Sequence, residues 1–87
     1  MNIQPNKNSL FVVMHDEMPI AIIPEITPET ISKAAENHFA LALEADSVLI
    51  RSHTQNPSGS ISVYMDIVED GNDPFEAEFE IFETVKY

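Results

Sequence analysis

Two alternating runs, separated by a turn, constrain this chain more than anything else in it. Ile61, Val63, Met65 and Ile67 alternate with Ser62, Tyr64 and Asp66, and Phe75, Ala77, Phe79 and Ile81 alternate with Glu76, Glu78 and Glu80. Successive side chains of a strand leave opposite faces, so a period of two marks a sheet with one dry and one wet face. Between the runs, Asp70-Gly71-Asn72-Asp73-Pro74 has the composition of a turn. The spacing predicts a hairpin of residues 60–69 against 75–85. In the simplest register Glu69 faces Phe75 and Met65 faces Phe79. On the wet face Asp66 then lies across from Glu78, and Tyr64 across from Glu80.

The rest of the chain supplies three more strands and a helix. Residues 10–14 and 20–23 are short apolar runs rich in strand formers, joined by the five residues 15–19. Neither run alternates cleanly, which suits strands covered on both faces or central in a sheet. Thr27-Pro28-Glu29 is a helix start: Thr27 can accept from an orphan amide, Pro28 loses no hydrogen bond at the first helical position, and Glu29 complements the dipole. The periodicity predicts a helix from Pro28 to about Ala45, with Ile31, Ala34, Ala35, His38, Phe39, Leu41, Ala42 and Ala45 on one broad face. The many alanines there let the helix approach a sheet closely. Residues 48–53 are a further strand, and Asn56-Pro57-Ser58-Gly59 is a turn. The fold class is therefore α+β, one helix packed on a mainly antiparallel sheet in the order β-β-α-β-β-β, with the opposite face open. At 87 residues the chain forms a single domain, since two cores could not each sustain themselves. Residues 1–8 are expected to be a polar lead-in.

Charge and composition narrow the chemistry. Fifteen acids face four bases, a net charge of −11. Such a surface repels nucleic acid and anionic lipid and attracts cationic partners. Direct nucleic-acid binding, which rests on basic contacts to phosphates, is disfavoured. Cysteine is absent, which excludes disulfides and thiolate metal sites. No apolar run reaches membrane-span length, and the first residues lack a signal-peptide apolar region, so the expected location is cytoplasmic.

Sites of chemistry are sparse. Asp70-Gly71-Asn72-Asp73 shares acids with a calcium loop, but the glycine is second and not sixth. His15, His38 and His53 show no ligand spacing. His38, on the apolar helix face, reads as a hydrogen-bonded core residue or as a pH-responsive contact. No serine lies in G-x-S-x-G or S-x-x-K, and two glycines cannot build a phosphate loop. Arg51, the only arginine, is expected to pair with a surface carboxylate. Neither a cofactor nor a metal is expected, nor is enzymatic activity.

The acids are not evenly spread. From Asp66 to Glu83 there are eight and no base. Like charges placed across a hairpin oppose its pairing, so a negative patch there points to use as a docking surface for a basic protein, one that could imitate nucleic-acid phosphates. On this reading Tyr64, Asp66, Glu76, Glu78 and Glu80 carry the contact, with Val68 and Phe82 beside them. The blander reading is a last strand at a sheet edge, guarded by charge. A rival reading is a structural domain that forms a homodimer through its open face or last strand, gaining apolar burial that a small chain lacks.

Overall fold

The computed structural model describes residues 9–41 and 46–85. The strands and helix follow in the expected order: β1 (Ser9–His15), β2 (Met18–Ile23), α1 (Pro28–His38), β3 (Ser47–Gln55), β4 (Ile61–Val68) and β5 (Phe75–Val85). The lead-in, residues 1–8, falls outside the described residues. All five strands join one antiparallel sheet in the spatial order β2-β1-β5-β4-β3.

β5 is the middle strand, which overturns the reading of it as an edge. Its length explains the placement. Eleven residues serve two partners in staggered register: β1 pairs from Ser9↔Val85 to Met14↔Glu80, and β4 from Ile61↔Ile81 to Ile67↔Phe75. The apolar β1 thereby gains a neighbour on each side, whereas β2, whose run also lacks alternation, lies at an edge. Four antiparallel pairings leave the two edge strands, β2 and β3, pointing the same way. The chain must therefore be carried back along the sheet between them, and α1 lies on that return path across one face.

The β4–β5 hairpin has the expected faces in a different register. Tyr64 lies opposite Glu78, Asp66 opposite Glu76 and Met65 opposite Ala77, a slip of two from the simplest pairing. The cause is the turn. Glu69 carbonyl accepts from Asn72 N–H at 3.1 Å and Gly71 takes φ +81°, so Glu69 leaves the strand and joins the loop. An even slip keeps every side chain on its own face. The β1–β2 link is also tighter than expected. Asp16 and Glu17 alone make the turn, at φ 51° and 66°, the left-handed pair of a type I′ hairpin. Pro19 lies in β2 opposite Met14, tolerable on an edge strand, and Ile20 is the extra residue of a bulge.

α1 begins where expected, with a reciprocal cap. Thr27 Oγ1 accepts from Thr30 N–H at 3.1 Å, and Thr30 Oγ1 accepts from Thr27 N–H at 3.0 Å. It ends seven residues earlier than expected, at His38. Leu41 N–H reaches Glu36 carbonyl at 2.8 Å and Ala40 N–H reaches Asn37 carbonyl at 3.4 Å, with Ala40 at φ +56°. That is a Schellman stop built on alanine instead of glycine. Tertiary contact supplies the reason: the turn drops the Phe39 ring onto Phe79, stacked at 6.2 Å, and against the edge of Phe75 at 5.4 Å. Ala42 and Ala45, assigned to the helix by periodicity, fall outside the described residues. His38 is exposed at the last turn and is not a core residue.

The core lies between α1 and one face of the sheet. Ile31, Ala34 and Ala35 of the helix meet Val13, Val63, Met65, Ile67, Phe79 and Ile81 of the middle strands. Each fully buried aliphatic or aromatic side chain there stabilises the fold by about 1.5–3 kcal/mol relative to exposure. Among the described residues, no helix is long and apolar enough to cross a membrane.

Candidate protein-interaction face

Among the described residues, the second face of the sheet carries no helix. Antiparallel partners point to the same side, so the register assigns this face row by row. One row is Ile22, Val12 and Phe82, another is Met14, Glu80 and Ser62, a third is Glu78 and Tyr64, and a fourth is Glu76, Asp66 and Leu49. The five residues singled out from the sequence thus share one face. Glu76, Glu78 and Glu80 form a line of carboxylates along the central strand, spaced by two residues. The β2–β1 side of the face is apolar, with Ile22 65% exposed and Phe82 40% exposed.

The five are not equivalent. Arg51 sits at an irregularity of β3, between the pairs Ile50↔Met65 and Ser52↔Tyr64. A bulged residue re-aims its side chain, and here the guanidinium donates to Asp66 Oδ2 at 2.5 Å. The carboxylate of Asp66, as acceptor and as neighbouring charge, holds the Arg51 guanidinium further above its ordinary range, with Glu76 adding to the effect. Of the acid-on-acid pair Asp66–Glu76, Asp66 is therefore compensated, while Glu76 is not bonded to the guanidinium. Most of the Arg51 side chain is exposed, so this contact sets local charge more than stability.

Glu80 is tied down differently. Its Oε2 accepts from the Ser60 hydroxyl at 2.8 Å, and Ser60 Oγ in turn accepts from Asn56 Nδ2 at 2.9 Å. Asn56 Nδ2 also donates to Ser62 Oγ at 3.0 Å. Ser60 and Ser62 are the buried polar residues of the chain's described part, and every such buried polar atom has a partner. This network braces the β3–β4 turn, where Gly59 takes φ +96°. Sequence reasoning passed over it, although Asn56, Ser58, Ser60 and Ser62 recur with a period of two. Glu76 and Glu78 are exposed and make no hydrogen bond or ion pair within the described residues. They are the free negative centre of the face, with Tyr64 directly beside Glu78.

No protein-family model, curated protein or solved structure matches this chain. The residues alone must carry the reading. Among the described residues, no three histidines or carboxylates converge as a metal site would require. The 70–73 loop is occupied otherwise: Asp70 N–H donates to Asp46 Oδ1 at 2.8 Å.

One cluster was not foreseen. At the tip of the β1–β2 hairpin His15 Nδ1 and His38 Nε2 are 3.0 Å apart, joining β1 to the end of α1. The His15 ring stands edge-on to Phe39 at 5.4 Å and to Phe79 at 5.6 Å. His15 and Phe39 wall a groove of about 640 Å³ that also takes in Phe75, Glu76 and Glu78. The two histidines are 23 positions apart in sequence, so no local spacing could reveal them.

Proposed function

We propose that this chain is a small non-enzymatic binding protein whose open sheet face occupies a basic surface of a partner protein, one that can be a nucleic-acid-binding surface. The observation that carries the reading is the line of Glu76, Glu78 and Glu80 on the middle strand, flanked by Tyr64 and Phe82. A rigid sheet fixes such charges relative to one another, and apolar and aromatic groups beside them give an interface its dry centre. Glu76, Glu78 and Tyr64 make the main contact, with Glu80 and Asp66 held in place by Ser60 and Arg51. With net charge −11, association is steered by long-range attraction and is fast at low salt. The setting proposed is cytoplasmic.

The test is capture from native lysate at low salt with two variants of equal net charge. Glu76→Lys with Glu78→Lys reverses the open face, whereas Glu25→Lys with Glu36→Lys reverses exposed positions elsewhere. The first pair is expected to abolish salt-eluted capture and the second to preserve it. Equal capture by both, or elution insensitive to salt, removes the proposal.

A second reading, a homodimer, draws support from the row of exposed Ile22, half-buried Val12 and exposed Phe82. Two copies meeting through that row would bury apolar area but bring their carboxylate lines together. Light scattering of the concentrated protein separates the two readings.

A further inference from the structure

β5 outruns β1. The last β1 pairing is Met14↔Glu80, after which the chain turns at Asp16 and Glu17 into β2. Residues 75–79 therefore have β4 on one side and, among the described residues, no strand on the other. Backbone N–H and C=O groups alternate between the two sides of a strand, so this overhang presents donors and acceptors without a ladder partner. The gap beside it is the groove at the hairpin tip. Phe75 belongs to the helix-side face and yet is 38% exposed, an aromatic ring that Phe39 covers only in part at the gap.

The two sides of the gap differ in chemistry. Toward the helix it meets His15, Phe39 and Phe75; toward the open face it meets Glu76, Glu78 and Glu80. A strand laid in line with β1 would send alternate side chains to these two sides. We infer that the gap beside residues 75–79 takes an extended segment of the partner as an added sheet strand, with apolar residues alternating with lysine or arginine. The inference rests on the binding reading above and narrows it to one end of the face and one mode of recognition. Main-chain hydrogen bonds to the overhang supply affinity, and the alternation of pockets supplies the sequence preference. A span of five residues accommodates a segment of roughly 17 Å.

The probe is the peptide acetyl-Lys-Val-Lys-Val-Lys-Val-Lys-amide, titrated at low salt into isotope-labelled protein and followed by amide resonances. Two further peptides carry backbone N-methyl groups, one at the odd and one at the even positions, which blocks donors toward one side only. The plain peptide is expected to shift the amides of residues 75–79 and of Asp16 and Glu17, and to slow their hydrogen exchange. One N-methyl parity is expected to bind at least tenfold more weakly, and the other nearly as well as the plain peptide. Equal binding by all three, or shifts centred on Ser52 and Tyr64, overturns strand addition while leaving a charge-driven binding face intact. Absence of peptide binding while Glu76- and Glu78-dependent capture persists does the same. Loss of that dependence instead sinks the binding reading itself.

Discussion

Glu17→Gly is expected to stabilise this protein. Glu17 is the second central residue of a two-residue type I′ turn and holds φ +66°. Left-handed backbone places Cβ against the carbonyl oxygen, at a cost of roughly 1–2 kcal/mol for a residue with a side chain. Glycine removes that strain but loses more freedom on folding, by about 0.5–1 kcal/mol. The net gain is about 0.5–1 kcal/mol, because Asp-Gly is a favoured pair for this turn. For a domain of this size 1 kcal/mol moves Tm by roughly 4–8 °C, so a rise of ~2–8 °C is expected. Circular dichroism melts of the free protein measure it, with urea midpoints as a second readout. Glu17→Ala is the necessary control: it removes the same charge but keeps Cβ, and should leave Tm within a degree or so of the parent, at about ±0.2 kcal/mol by the same turn argument. If Glu17→Gly lowers Tm, or if Glu17→Ala matches its gain, the stabilisation does not come from backbone strain and the type I′ assignment of the turn fails.

Other substitutions test the core, the buried network and the charge of the face. Phe79→Ala empties the middle of the core under Phe39 and should cost about 3–5 kcal/mol, a large share of the ~4–13 kcal/mol available to a chain this long; an unfolding midpoint near the parent's would contradict its placement. Ser60→Ala removes the donor to Glu80 and the acceptor for Asn56, at a cost of about 1–3 kcal/mol in urea unfolding, and Glu80→Gln, which keeps an acceptor oxygen, should cost less. Arg51→Ala should hardly move the urea midpoint, since the pair is exposed, yet raise the low-salt association rate with a cationic partner by freeing Asp66; an unchanged rate in stopped-flow mixing would separate Asp66 from the contact.

What was legible in the sequence was local. Period-two alternation assigned the faces of β4 and β5 correctly even though the register slipped by two, because an even slip preserves side-chain parity. Thr27 and Pro28 fixed the helix start through short-range capping. The helix end had no such mark: residues 39–45 favour helix, and the stop at Ala40 follows from Phe39 meeting Phe75 and Phe79, more than 30 positions away. The Asp16–Glu17 turn was hidden because neither residue is glycine. Strand order was illegible for the same reason as the helix end, since β1 and β5 pair across most of the chain's length. At the site, the placement of Tyr64, Asp66, Glu76, Glu78 and Glu80 on one face could be read from parity. Their inequality could not, since it depends on a bulge that swings Arg51 toward Asp66 and on a serine network that holds Glu80.

The carboxylate line also decides how this face should behave toward a second copy of itself. Packed sheets stand about 10 Å apart, and at that distance two unit charges in water repel by about 0.4 kcal/mol. Glu76, Glu78 and Glu80 of one copy against the same three of another make nine pairings, at about 10 Å or more, so the opposition reaches roughly 3 kcal/mol before any water is expelled. The exposed Ile22 and Phe82, with half-buried Val12 between them, pull the other way through apolar burial. Salt shifts that balance in a known direction, because at 1 M the Debye length shrinks to about 3 Å and the repulsion is screened while burial is not. Sedimentation equilibrium should therefore find a monomer at low ionic strength, with any self-association appearing only as salt is raised. A dimer that tightens as salt is removed would mean that the copies meet through opposite charges, and the open face would then be a self-interface and not a surface held for a basic partner.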